Sequence, residues 1–452
     1  MSTPQEIREG EYQGLTRELV LHISQAKNEP EWMKEKRLAA YDMYKDAALP
    51  NWGPSLSDLE LDKIIYFTDP HVKETNRWEE LPDEIVATFD KLGIPKAEQN
   101  YLGGVGAQYD SGVVYHRLKQ SLAEKGVIFE NMDVALQTHE ELVKKYFMTD
   151  CVPPTDHTFT KLHAAVWSGG TFIYVPKGVK VDMPLQAYFR MNRERSAQFE
   201  HTLIIADEGS EITYIEGCSA PQYNASSLHA GCVEIFVLKG AKVRYVSIEN
   251  WSKNTYNLNT KKAIVHEDAT IEWLNGQMGS RVTMLYPSSV LLGDRSQSES
   301  MSIVAAGVNQ FQDTGSKSIH IGKNTRSIIK SKSIAKDGGV TNYRGFVKII
   351  PKAEGATVSV TCDSLLLDEK SQAHTYPTMK VSNKSAVVVH EARAGKIGNS
   401  QMNYLHTRGY DEDNATRLLV RGFFDPVIKT LPLEYALELN RLVELEMDGA
   451  QG

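Results

Sequence analysis

Cysteine is scarce and scattered: four thiols, Cys151, Cys218, Cys232 and Cys362, are spread over 452 residues. That spacing gives no disulfide framework, no C-x-x-C pair and no closed zinc spacing. A cytosolic or equivalent reducing compartment is therefore expected. Other signatures are missing too. The nearest approach to a P-loop, GSKSIHIGKN, has the wrong glycine spacing, so any ATP-driven step would have to come from a partner. No G-x-S-x-G elbow and no dinucleotide fingerprint follows a strand. No apolar run approaches a membrane span. The opening, MSTPQEIREGEYQGL, is polar and charged, without the apolar core of a signal peptide. A net charge of −8 argues against a general nucleic-acid binder, which needs a basic surface.

What is present is ordinary in bulk and unusual in pattern. With 41% hydrophobic and 24% charged residues, the composition is that of a soluble globular protein large enough for two or three structural units. Residues 15–44 carry apolar side chains at helical spacing, broken at Pro30. Segments 84–92 and 133–147 also read as helix, with YLGGVGAQYDSGVVYH between them as a turn and a short strand. From about Thr158 the pattern changes to short alternating runs, each introduced by a turn residue: Gly178, Gly209, Gly240, Asp268, Gly293, Gly322 and Gly355. Successive differences are 31, 31, 28, 25, 29 and 33. An imperfect repeat of this length with strand periodicity fits one wide coil of a β-solenoid. Antiparallel hairpins in a sandwich could mimic it, but the recurring turn and the lack of intervening helices favour the solenoid. After about Ser400 helix returns, with acidic residues opening DEDNATRLLVRGFFDPVIKTL and a break near Gly422. Leu433, Ala436, Leu437 and Leu442 share one face of the following segment. This end reads as a cap over the last coil, a docking arm, or both. The expected fold is thus mainly β, a right-handed parallel β-helix over 156–405, flanked by a helical and mixed region (1–155) and a helical end (406–452).

A solenoid brings distant residues together, because neighbouring strands lie about 4.8 Å apart. In ATVSVTC, Cys362 shares parity with Val358 and Val360, so its thiol is expected to face the interior. His390 follows 28 positions later, within the spread of the repeat, in a stretch where both parities are apolar. It could face either way, and would reach Cys362 if it faced inward. Cys218 shares parity with Ile212, Tyr214 and Glu216. The 144 positions from Cys218 to Cys362 make about five coils, on the order of 24 Å. Against any chemical role stands the plainer one: an inward cysteine in a β-core is usually a small buried hydrophobe. Cys151 and Cys232 read as structural or core, and His374, beside Tyr376 and Pro377, as a turn residue.

Four strings carry more than pattern. QFEHTLIIADEGSEITYIEGCSAPQY (198–223), SLHAGCVEI (227–235), TCDSLLLDEKSQAHTYP (361–377) and GFFDPVIKTLPLEYA resemble the SufBD family of the SUF iron–sulfur cluster assembly machinery, closest to its SufB-type scaffold subunits. ISQAKNEPEWMKEKRLAAY also resembles the family's opening helix, so the likeness spans essentially the whole chain. The resemblance implies helical ends around a right-handed β-helix. It implies pairing with a SufD-type paralogue or a second copy through that β-helix, and docking of a SufC-type ABC ATPase by the C-terminal helices. Sulfur would arrive as persulfide from a cysteine desulfurase system and pass along the interior. By motif match, Cys218 corresponds to the sulfur-accepting cysteine and Cys362 to the essential cysteine where a transient iron–sulfur cluster is built. His390 and Glu391, in VVHEAR, match residues implicated at the same site, giving the expected metal ligands Cys362, His390 and Glu391.

Two departures limit the likeness. Val389 stands where some relatives have an acidic residue, and NYLGGVGAQYDSG has no counterpart of the N-terminal C-x-x-C-x-x-x-C found in some longer relatives. Reduced flavin is associated with some family complexes, but no string here supports it. Clusters are normally held by several thiolates, and this chain offers no local set, so the shell would be completed by a partner chain or by exogenous thiols. An interior with few polar groups would shield a persulfide. The expectation is a scaffold rather than an enzyme. A carbohydrate-active β-helix would need a repeated outward acidic cluster that is not seen, and a purely structural SufD-like role fits poorly with both Cys218 and Cys362 present.

Overall fold

The computed structural model describes residues 5–8, 10–69, 72–91, 94, 95, 98 and 101–429, together with 436, 440 and 443. Leu433, Leu437 and Leu442 lie outside the described residues. From Gly170 to Lys396 the chain winds as a parallel β-solenoid of about eight turns. Its coils feed two sheets, one of thirteen strands and one of ten among the described residues. Side-chain alternation explains the winding. On strand Glu211–Ser219, Ile212, Tyr214 and Cys218 point into the coil and Ile215 points out, each onto a different apolar cluster. Both faces of each sheet find cover over most of its length, as a parallel sheet requires.

One corner of seven successive coils is a left-handed residue: Gly178, Gly209, Gly240, Asp268, Arg295, Asn324 and Gly355, with φ between 54° and 72°. Their spacings, 31, 31, 28, 27, 29 and 31, are more regular than those expected from glycine alone. At two coils the corner falls two residues beyond the expected glycine, on Arg295 and Asn324. Gly293 and Gly322 serve a different need, close approach. A Cβ on Gly293 would sit 1.9 Å from the Glu267 nitrogen, and one on Gly322 would sit 2.1 Å from the Gly293 oxygen. The corners stack by backbone hydrogen bonds from coil to coil, such as Gly209 N to Lys239 O at 2.9 Å and Arg295 N to Lys323 O at 2.8 Å.

The N-terminal helices Arg17–Ala26 and Glu31–Lys45 meet at Pro30, the N-cap of the second. Helix Asp83–Lys91 and helices Met132–Thr138 and Glu140–Tyr146 fall where helical spacing placed them. The glycine-rich segment between them differs from expectation. It holds two strands, Gly104–Tyr109 and Gly112–Leu118, paired antiparallel at the end of the ten-stranded sheet. Thr158–Val166, read as the start of alternating strands, is a helix, and all of its residues except Thr158 and Lys161 are buried. Its side chains and those of the earlier helices cover the outer face of the thirteen-stranded sheet.

Helix Glu412–Ile428 starts at Asp411, whose carboxylate accepts the Asn414 N–H at 2.8 Å, and runs through Gly422 without a break. It does not cap the last coil. Val420, Phe424, Val427 and Ile428 lie on the outer face of the ten-stranded sheet, against Ile215, Val246, Leu274, Ile303 and Ile334. Burying each such side chain contributes about 1.5–3 kcal/mol, which fixes the helix along the solenoid flank. Among the described residues the last strands, Gln372–Val381 and Val387–Lys396, are open edges. There Val387 is 58% and Val389 54% exposed.

Candidate functional site

Cys362 sits on strand Thr357–Leu366, on the inward face with Val358 and Val360, and is 2% exposed. Burial pushes its thiol up to about 12 against the opposing pull of Tyr343, whose ring packs in the same cluster. At neutral pH it is therefore a thiol, and it needs exposure or a bound cation to become a thiolate. On the next strand Val360 is the register partner of His390, and Cys362 that of Ala392. His390 thus shares the face of Cys362, one strand on and two residues back, a diagonal of about 8 Å between backbones. Its Nε2 is buried without a hydrogen-bond partner among the described residues. Glu391 is not brought to this face. Its register partner is Thr361, and its carboxylate pairs with Arg393 at 3.1 Å on the exposed outer side. Strand alternation turns successive side chains to opposite faces, so His390 and Glu391 cannot both face Cys362 from one regular strand. His374 is no turn residue: it lies exposed within strand Gln372–Val381. Pro377 is tolerated on that strand because it is an edge.

Cys218, 1% exposed, faces the same interior. Its surroundings overturn the expectation of an apolar channel. Lys261, fully buried, places Nζ 2.8 Å from Glu249, 3.4 Å from Glu216 and 2.7 Å from the Ser247 hydroxyl. Burial alone would raise Glu249, but Lys261 and His229 overcome it and hold the carboxyl at about 2. Burial raises Glu216, and Lys261 only partly offsets this. The Cys218 thiol, 4.0 Å from Glu216, is driven well up by burial and then by the Glu216, Glu249 and Glu200 carboxylates. His229 bridges Glu200 at 2.6 Å and Asn257 at 2.9 Å. A buried ion pair of this kind is costly to assemble and costlier to break. The sequence carried a signal for it: Glu216, Glu249 and Lys261 are charged residues at inward, otherwise apolar, strand positions.

Register joins the two thiols. Glu216 pairs with Ser247, Ser247 with Asn275, Asn275 with Ser302, Ser302 with Ser331 and Ser331 with Cys362. All six share the inward face, and the Ser302 hydroxyl donates to that of Ser331 at 3.0 Å. A polar column therefore crosses six strands of the ten-stranded sheet, from the charged cluster beside Cys218 to Cys362.

Comparison with known proteins settles the family. Residues 189–423 match the SUF system FeS cluster assembly, SufBD core domain, and residues 109–187 the SufBD protein N-terminal region. The chain belongs to the SufBD family. It is 51% identical over 439 residues to an iron–sulfur cluster assembly SufBD family protein of Staphylococcus aureus strain MRSA252, covering 97% of this chain and 94% of that one. A SufBD family protein of Staphylococcus haemolyticus strain JCSC1435 is similar to the same extent. SufBD membership ties the chain to iron–sulfur cluster assembly, and the solenoid with helical ends is the fold expected from the sequence. No described helix is long and apolar enough to cross a membrane.

Proposed function

We propose that this SufBD protein acts as the SufB-type scaffold on which a nascent iron–sulfur cluster is built, and not as an enzyme. The observation that supports this reading is the polar column linking two inward thiols on one sheet face. In the proposed sequence, a Cys218 thiolate attacks the sulfane sulfur of a donor persulfide. The donor's S–S bond breaks, the donor leaves as a thiolate, and Cys218 carries the persulfide. Lys261 stabilises the anion at that point, as a buried ammonium beside a developing thiolate does. A thiol reductant in the complex then supplies two electrons that cleave the Cys218 persulfide, restoring the Cys218 thiol and releasing hydrosulfide. The hydrosulfide passes along the hydroxyl and amide column to Cys362, where it enters the cluster. Cys362 and His390 supply two iron ligands, and a partner chain pairing with the exposed last strands supplies the remainder. An incomplete shell suits a scaffold that must release its product.

The open edges at Gln372–Val381 and Val387–Lys396 are proposed as the surface for a SufD-type paralogue or a second copy, since unpaired strand edges recruit strands. The C-terminal helix, docked along the flank, is proposed as the part a SufC-type ABC ATPase engages. Its movement would open the β-helix interface at the last strands, exposing Cys362 from the interior and permitting ionisation of a thiol that burial keeps protonated. Anaerobic reconstitution of the complex, with iron and sulfide analysis, tests the reading. Cys362→Ser is expected to abolish cluster formation with the far-ultraviolet spectrum unchanged. Full cluster assembly by that variant would overturn the assignment, and a wild-type chain binding neither iron nor sulfide would indicate the structural, SufD-like role.

A further inference from the structure

A second set of metal-binding side chains lies on the opposite side of the thirteen-stranded sheet from the solenoid interior. His163 comes from helix Thr158–Val166, His201 from strand His201–Ala206 and Cys232 from strand Cys232–Val237. His201 and Cys232 are direct register partners on adjacent coils. Both face outward, and the helix crosses over them. One ligand atom from each of the three residues lies within 4.8 Å of the others, and all three residues are buried.

The contacts around the two imidazoles hold one position more than two neutral rings can fill with their own protons. His163 Nδ1 lies 2.9 Å from the Ala230 carbonyl, which can only accept, so Nδ1 carries the proton and Nε2 a lone pair. That lone pair faces His201 Nδ1 at 3.0 Å. The other nitrogen of His201, Nε2, is 3.2 Å from a Glu234 oxygen but lacks hydrogen-bond geometry. Glu234 is already held by the Met148 and Val152 N–H groups, at 2.6 and 2.8 Å. Two neutral rings own two ring protons, and three contacts require three. With His201 protonated on Nε2, two lone pairs meet at 3.0 Å. With it protonated on Nδ1, its Nε2 lone pair faces Glu234, whose carboxyl burial raises to about 8, so without a metal the third proton sits at Glu234.

We propose that a metal takes the place of that proton, and that His163 Nε2, His201 Nδ1 and Cys232 Sγ form a three-ligand site for a borderline-to-soft transition-metal ion of the zinc or copper(I) class. Two imidazoles and a thiolate select such ions, whereas calcium and magnesium take oxygen ligands. The surroundings resemble the outer shell of metal-bound histidines: the Ala230 carbonyl holds the distal N–H of His163, and the Glu234 carboxyl lies 3.2 Å from the distal nitrogen of His201. Metal–nitrogen and metal–sulfur bonds of about 2.0–2.3 Å require the two nitrogens, 3.0 Å apart, to open slightly and the sulfur to approach them by about 1.3 Å at most. Binding displaces the Cys232 thiol proton and the third proton held at Glu234, so the ion gains a thiolate and two protons leave. The site is separate from Cys218 and Cys362, and it ties the N-terminal helices to two successive coils. Glu234 is a positioning residue for His201.

The test uses the full-length, metal-free chain with Cys218 and Cys362 both changed to serine, so that neither cluster cysteine takes up metal. Titration with Co2+ is expected to fill one site per chain, with a sulfur-to-cobalt charge-transfer band in the near ultraviolet and a raised Tm. Adding Cys232→Ser should remove the band and weaken binding by about 100-fold or more, while adding Cys151→Ala should leave both in place. Glu234→Gln should weaken binding by about 10–100-fold with the band retained. Competition by Zn2+ and by Cu+ distinguishes the two ions. X-ray absorption of the zinc-loaded chain needs no Cys232 variant, and should show one sulfur and two imidazole nitrogens. No Co2+ uptake, or uptake that Cys232→Ser leaves unchanged, would overturn the site and leave a proton as the bridging cation.

Discussion

Cys218 and Cys362 face the same interior from one sheet, with four strands between them and their registers offset by two residues. Cys218 is in line with Ser364 at the far end, and Glu216 is in line with Cys362. Neither thiol reaches the other, so any sulfur exchanged between them must travel the interior. The two cysteines should therefore fail differently. In assays supplied with a persulfide donor, Cys218→Ser and Cys362→Ser should both lose cluster assembly. With inorganic sulfide and iron instead, Cys218→Ser should recover most of it and Cys362→Ser none. Equal recovery of both would remove the division of roles.

The buried ion pair gives a stability prediction. Lys261→Met removes the partner of Glu249 while keeping much of the side-chain volume. Leaving Glu249 buried without its cation should cost about 3–5 kcal/mol, read as a lower midpoint in urea with an unchanged m-value. The double variant Lys261→Met/Glu249→Leu should regain much of the loss, because an apolar pair of similar volume needs no desolvation of charge.

The same pair sets a pH dependence. Glu249 is held at about 2 in the fold, below the ordinary value near 4.3 for an unfolded chain, roughly that of a free glutamate. Its contribution is present above pH about 4.3, where both states are ionised, and is lost as pH falls through about 2. Glu249→Gln should make the acid limb of the stability curve shallower by about one proton. An unchanged slope would show that Glu249 is not ionised in the fold.

Two glycines separate close approach from backbone conformation. Gly178 has φ +72°, and a Cβ added there would meet nothing within 4 Å, so Gly178→Ala should cost about 1–2 kcal/mol from the left-handed conformation alone. Gly293→Ala meets the Glu267 backbone at 1.9 Å and should cost more, because neighbouring coils must separate. Thermal unfolding ranks the two, and the reverse order would show that the coils yield more readily than the corner.

Val387 and Val389 project from the exposed last strand. Val387→Glu with Val389→Lys should leave the chain's own Tm within about 1 °C, since neither side chain is in the core and surface changes are usually small. Association with a SufD-type partner or a second copy should weaken at least tenfold by light scattering or titration. Intact association would move the interface away from this edge.

The solenoid was legible because it is periodic: a turn residue near every thirtieth position and inward parity at Val358, Val360 and Cys362 are local patterns. The helix at Thr158–Val166 was not, since a buried helix nine residues long shows little polar face. The shift of two corners to Arg295 and Asn324 was hidden for a related reason. Glycine marks both left-handed turns and close approach, and only the folded backbone tells the two apart. His390 could be placed near Cys362 by the repeat length, but the face it takes depends on register.

By itself, then, the sequence determined the coil length, the inward direction of the two key thiols and the helical ends, because each depends on residues a few positions apart. The tertiary structure alone decided which coil meets which and at what register. That put Lys261 between Glu216 and Glu249, aligned the column ending at Cys362, turned Glu391 away from it, and brought His163 over His201 and Cys232. The physical reason is that strand pairing fixes these contacts through backbone hydrogen bonds whose offset of a single residue reverses every side chain, and no local pattern encodes that offset.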